Sequence, residues 1–231
     1  MTRPRSWWPD ALFVGAFVLL TLLLWQGHLL GVDLAVADWS AAHRPPVAYW
    51  TARVLNSLGQ GGWFLMPIGA ALTALAVWRR RTIRPVLIFV ATVALLYLTV
   101  GPMKIVFDRA APAFIGPDRE VLFNPAATGS LGMSYPSGHV ANTVLWYAAF
   151  ALLLGMLLGE VNHRLLLALR VLPPVIVICT TTYLGWHWIT DSIAGLFIGL
   201  VLARILTRVP WDSIKPPSVR RASPASPATK S

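Results

Sequence analysis

Apolar residues run along this chain in long blocks broken by short polar segments, the pattern of helices that are apolar all round rather than on one face. Six blocks carry almost no charge: Ala11–Trp25, Gly61–Trp78, Pro85–Met103, Val140–Gly159, Val171–Trp186 and Ser192–Ala203. Each approaches the roughly 20 residues that a helix needs to cross a bilayer. The first, fifth and sixth are short as bounded. They extend to Leu30, back to Leu165 and on to Leu206 if Arg170 and Arg204 snorkel toward the surface. Tryptophans 7, 8, 25, 63, 78, 186, 188 and 211 fall at or near the block ends, where interfacial anchors belong. The pattern predicts an all-α membrane bundle of six spans over residues 1–211. From Asp212 a tail rich in Pro, Ser, Ala and basic residues is expected to be disordered.

Between the first two spans, Val36–Leu58 mixes Trp39, Ala42, Val47, Trp50 and Val54 with polar residues. It reads as an interfacial amphipathic helix broken at Pro45-Pro46. Gly59-Gln-Gly-Gly62 follows no strand and precedes no Lys-Ser/Thr pair, so it reads as a turn into the second span rather than a phosphate loop. Composition agrees with the pattern: 56% hydrophobic, 12% charged and a mean hydropathy of +0.64 exclude an ordinary soluble domain. The net charge of +10 sits between spans and in the tail, which favours an anionic membrane surface over nucleic acid. Cys179 is the single cysteine, so no intramolecular disulfide forms.

Basic residues assign the sides. Arg3 and Arg5, Arg79–Arg81 with Arg84, Arg164 with Arg170, and the basic residues from Arg208 onward alternate with loops carrying Asp33, Asp38, Asp108, Asp118 and Glu120. The positive-inside rule then puts both termini in the cytoplasm and turns loops 31–60, 104–139 and 187–191 outward. Ala35-Val-Ala37 resembles a signal-peptide cleavage site but lies too far beyond the first apolar run to act as one.

That orientation collects three polar clusters on the outer face. In Pro136-Ser137-Gly138-His139, Ser137 is a good N-cap, Gly138 lets a ligand approach the backbone, and the first amides of the following helix favour an anion that His139 can also reach. His187 and Asp191, four apart, share a helical face, and a carboxylate on one imidazole nitrogen raises the basicity of the other. Such a pair suits a nucleophile or general base. It also suits a metal, but His28, His43 and His163 supply no third ligand on that side. Lys104 and Arg109 end the third span, and beside a phosphate they would stabilise charge developing on a transferring phosphoryl group.

These residues resemble the type-2 phosphatidic acid phosphatase superfamily of integral membrane lipid phosphatases. Its pattern is Lys, six residues, Arg-Pro; then Pro-Ser-Gly-His; then Ser-Arg, five residues, His, three residues, Asp. The likeness covers roughly residues 60–206 and is complete at Pro136–His139 and at His187 with Asp191. It implies that His187 attacks phosphorus to give a phosphohistidine, that Asp191 orients it and that His139 protonates the leaving oxygen. By the same resemblance Lys104, Ser137 and Gly138 bind the phosphate, and no metal or other cofactor is required. The chain departs from the pattern at Ala111 and Thr181, where the family places arginines, and at Thr180, where it places serine. Arg109 is the expected replacement clamp, with Arg119 a weaker one.

The implied activity is hydrolysis of an outer-leaflet lipid phosphate or diphosphate: polyprenyl diphosphate, phosphatidic acid or phosphatidylglycerol phosphate. A lipid phosphotransferase and a catalytically silent scaffold are the alternatives. A multi-pass protein of a bacterial inner membrane, without nucleic-acid partners, is the setting the resemblance implies.

Overall fold

The computed structural model describes residues 4–127 and 129–214. It contains helices α1 (Trp8–Trp25), α2 (Leu30–Ala42), α3 (Pro46–Leu55), α4 (Met66–Arg80), α5 (Arg84–Phe107), α6 (Gly138–Leu158), α7 (His163–Tyr183) and α8 (Ile189–Arg208), with short 3-10 turns and no strand among the described residues. Six segments are long and apolar enough to span a membrane: Trp8–Trp25, Gly61–Arg80, Arg84–Phe107, Gly138–Leu158, His163–Tyr183 and Ile189–Ser213. The fifth and sixth thus extend as the pattern requires. The first does not reach Leu30. The chain turns after Trp25 through Gly27, at φ +82°, before α2 begins.

The loop expected to lie as a broken helix is α2 and α3, interrupted at Arg44-Pro45. On α3, Val47, Trp50 and Val54 are exposed, consistent with a face laid against headgroups. A π-helical turn, Gly61–Leu65, then leads into α4.

α6 is the central helix: thirteen of its 21 residues are buried, against four of the 18 in α1. It packs on α4, α5, α7 and α8, while α1 lies against the far side of α8. The tightest seam joins α6 to α8. An added Cβ at Gly195 would sit 2.4 Å from the Ser137 carbonyl oxygen, and one at Gly199 would sit 2.9 Å from Val144 Cβ. Gly195 and Gly199 are thus a small-residue pair that lets two backbones touch, the usual route to tight packing where lipid removes the hydrophobic drive. Gly195→Ala is expected to cost about 1–3 kcal/mol by overpacking. A thermal unfolding midpoint in detergent unchanged from wild type would contradict this.

At one end of the bundle, Asp10 of α1 binds Arg204 (3.0 Å) and Arg208 (2.5 Å) of α8, and Arg208 stacks 3.5 Å over the Trp7 ring. Arg204 is therefore paired rather than snorkelling, because a carboxylate one helix away answers its charge. At the same end Arg84 donates to the Ile214 carbonyl (2.9 Å) and Trp211 is buried, so the chain stays packed through Ile214. The remainder of the expected tail, 215–231, lies outside the described residues.

Candidate active site

The polar residues predicted to face outward meet at the opposite end of the bundle. Tyr135 fixes the approach to α6. Its ring packs on Phe17 and Phe107, and its hydroxyl shares a hydrogen bond with Thr21 (2.7 Å), while burial raises its pKa and keeps it neutral. Ser137 then starts α6, its Oγ accepting from the Val140 N–H (3.4 Å), and its own N–H donates to the Asp191 carbonyl (2.9 Å). That bond ties the first turn of α6 to the first turn of α8 and so sets His139 beside His187.

A cavity of about 380 Å³ opens here, lined by Lys104, Ser134, Gly138, His139 and His187 among others. A slightly larger cavity, about 420 Å³, lies near the Arg204 end and holds no imidazole; the chemistry favours the smaller one. His139 Nδ1 and His187 Nε2 are 3.2 Å apart, and His139 Nε2 is 3.0 Å from Gln60 Nε2. With the Gln60 amide in this orientation one tautomer set satisfies the chain. Gln60 donates to His139 Nε2, His139 Nδ1–H donates to His187 Nε2, and the His187 proton sits on Nδ1. That Nδ1 faces Asp191 Oδ2 at 3.7 Å, too long for a hydrogen bond but well placed for electrostatic attraction. Burial pushes the His187 pKa below the ordinary imidazole value, with Asp191 opposing.

Asp191 is fully buried and held on both oxygens. Oδ1 accepts from Arg109 Nη1 (2.6 Å), and Oδ2 accepts from the Trp188 N–H (3.0 Å) and the Ser134 hydroxyl. The first of these overturns the expected role of Arg109. Its guanidinium has no exposed surface, and it donates to Asp33 Oδ2 (2.6 Å), Asp191 Oδ1, Thr190 Oγ1 (2.9 Å) and the Glu120 carbonyl (2.8 Å). Burial opposes its charge, but the two carboxylates outweigh that and raise its pKa. With all three nitrogens committed, Arg109 is not a phosphate clamp. Arg119 does not line the cavity either. It donates to the Pro112 carbonyl (2.8 Å), lies 4.0 Å from Asp38 and stacks over Trp188 at 5.8 Å. Ser137 is fully buried as the cap of α6, its Oγ taken up by the Val140 N–H.

The remaining predicted residues converge. Lys104, at the end of α5, donates to the Met133 carbonyl and is the one cationic side chain in the cavity wall as described. Gly138 gives it room, since an added Cβ would fall 3.1 Å from Lys104 Cε. Ala111, where the family pattern has arginine, lies in the wall, and Thr181 is buried without a hydrogen bond from its hydroxyl. Sequence reasoning missed Gln60, Ser134, Asn142 and Trp186 of the wall, and Asp33 behind it. Asp33 carried a signal: a lone carboxylate in the apolar stretch Leu30-Gly-Val-Asp-Leu-Ala-Val is costly unless it is paired. Among the described residues no group of three His, Cys, Asp or Glu side chains is placed to hold a metal ion.

The family model of the PAP2 superfamily matches residues 85–215, which include Lys104, His139, His187 and Asp191. A sequence comparison with curated proteins finds no match. Among solved structures, the chain is similar to a transmembrane PAP2-type phosphatidylglycerolphosphate phosphatase from Bacillus subtilis. The TM-score is 0.69 at 22% identity, over 87% of this chain and 94% of that one. At that identity the likeness shows the fold: an all-helical, multi-pass membrane bundle. With its family match spanning more than half the sequence, this chain belongs to the PAP2 superfamily.

Proposed function

We propose that the protein hydrolyses a lipid phosphate through a phosphohistidine on His187. The observation that carries the reading is the placement of His187 Nε2 against His139 Nδ1 (3.2 Å) at a cavity that also holds Lys104, with Nδ1 turned toward Asp191. An entering phosphate replaces the contact between the two rings. The His187 Nε2 lone pair forms the N–P bond as the P–O ester bond breaks, and the leaving lipid oxygen takes a proton from His139, which carries protons on both nitrogens once the anionic phosphate has entered and is left neutral by the transfer. Asp191 stabilises the charge that the His187 ring gains. Water then attacks phosphorus, giving its proton to His139; the N–P bond breaks and inorganic phosphate leaves. Lys104 and the first amides of α6 balance the phosphoryl oxygens.

A lipid substrate is supported by a second cavity, about 240 Å³, walled by Met66, Val93, Leu96, Tyr97 and Val100 between α4 and α5. It shares Gly61, Lys104, Gly138 and Asn142 with the imidazole cavity, so an apolar tail has a path from bilayer to phosphate site. Arg79–Arg81, Arg164 and Arg208 gather at the end away from the histidines. This supports an outward-facing site with the chain's ends on the cytoplasmic side.

The test is phosphate release by detergent-purified protein from phosphatidic acid, phosphatidylglycerol phosphate and a polyprenyl diphosphate, with acid-quench trapping of labelled phosphohistidine. Release with no trapped intermediate would replace the nucleophile; no release from any of the three would end the phosphatase reading. The pH profile has a predicted sign. A nucleophilic imidazole must be neutral, and burial holds the His187 pKa below 6.5. Activity controlled by His187 therefore persists below pH 6.5 and is lost as pH falls through the depressed value. An acid limb in kcat/KM above the ordinary histidine value would contradict this.

A further inference from the structure

We propose that Asp33, on α2 and outside the family match, is a positioning residue of the site. It pins Arg109 so that Arg109 occupies one oxygen of Asp191 and leaves the other facing His187. The inference rests on the proposed function. The contacts form a closed set. Asp33 Oδ2 accepts from Arg109 Nη2 (2.6 Å) and from the Thr190 hydroxyl (2.6 Å), and Asp33 Oδ1 accepts from the Thr190 N–H (3.1 Å). Arg109 Nη1 reaches across to Asp191 Oδ1 (2.6 Å). Asp33, Arg109, Thr190 and Asp191 are all essentially without exposed surface, so the set neither hydrates nor drifts.

A carboxylate can turn about its Cβ–Cγ bond, and Asp191 helps His187 only while Oδ2 stays near Nδ1. Arg109 Nη1 holds Oδ1 while the Trp188 N–H and the Ser134 hydroxyl hold Oδ2, and together they fix that rotation; the planar guanidinium reaches Asp33 through its other terminal nitrogen. Without Asp33 the guanidinium keeps Nε on the Glu120 carbonyl and Nη1 on Asp191 and Thr190, but Nη2 loses its acceptor. Asp33 supplies that acceptor while docking α2 on the first turn of α8. The two carboxylates share one cation between them, and removing Asp33 sets Nη2 in competition with the Trp188 N–H and the Ser134 hydroxyl for Asp191 Oδ2, drawing that oxygen from the histidine. Asp33 thus acts on His187 through two intermediates and touches no reacting atom.

The experiment compares Asp33→Asn, Asp191→Asn and the double variant as full chains in detergent, with phosphate release and ¹⁵N-histidine NMR as readouts. For Asp33→Asn, kcat is expected to fall about 10- to 100-fold, the usual range for loss of an orienting outer partner, with KM within about twofold. The His187 Nδ1 resonance should shift. In the Asp191→Asn background the same change should alter kcat less than about twofold, because the path it acts through is already cut. A wild-type kcat in folded Asp33→Asn, or losses that multiply in the double variant, would overturn the proposal. Should Asp33→Asn not fold, Asp33→Glu carries the test: the charge stays and the carboxylate moves by one methylene. Wild-type kcat with unmoved His187 resonances would then refute it. The NMR arm needs no substrate, so a wild-type protein that releases no phosphate defeats the functional reading while Asp33 is still decided by the resonance.

Discussion

His187→Ala is expected to lower phosphate release at least about 10⁴-fold, the scale seen when a covalent nucleophile is removed and only binding and electrostatics remain. The imidazole is 5% exposed and shares one hydrogen bond, with His139, so deleting it also leaves a small void beside the cavity. The stability cost should be about 1–3 kcal/mol, small against the loss of rate. Phosphate release and thermal unfolding in the same detergent separate the two. A folded variant within tenfold of wild type would remove His187 from the nucleophile's place. His139→Ala should differ in kind, because an acid assists departure of the lipid oxygen rather than forming the bond. An aryl phosphate with a good leaving group should partly restore its rate and leave the His187 variant inactive.

The largest stability effect is expected at Arg109. Replacing it with alanine leaves Asp33 and Asp191 buried with no cation between them, and breaking a buried pair from one side typically costs about 3–5 kcal/mol. Arg109→Lys keeps the charge but cannot span both carboxylates with a planar fork, so it should recover part of the melting temperature and little of the activity. Unfolding midpoints of the three proteins decide the matter. A stable Arg109→Ala protein with only a raised KM would restore the phosphate-clamp reading that the buried ion pairs displace.

The contrast between these residues shows what the sequence discloses. Membrane spans are legible because hydrocarbon imposes length and composition on each segment independently. The first span was misjudged at its outer end because Gly27 and the short helix α2 continue its apolar composition while the backbone turns. The meeting of His139, His187 and Asp191 was legible because each falls at or just before the start of a helix at the same end of the bundle. Arg109 was harder to place for the opposite reason: its partner Asp33 is 76 positions away, and no local pattern reports that distance. Gln60 hid between glycines that read as a simple turn, and its partner His139 is 79 residues on. The seam of Gly195 and Gly199 was present in the sequence as two glycines four apart, but only the partner helix gives them meaning.

That seam divides the cavity into unequal halves. His139 is in the first turn of α6 and His187 sits in the turn two residues before α8, beside the contact where those two backbones touch. Lys104 and Gln60 stand on the other side, on α5 and the turn leading to α4, where more of the helix surface meets lipid. The site therefore has one side closely packed and one side bordered by an apolar cavity. On the proposed function, the choice of lipid then falls to the α4–α5 side, whose apolar cavity adjoins Lys104. Substitutions there should tune which lipids are admitted while the chemistry on the closely packed side stays the same.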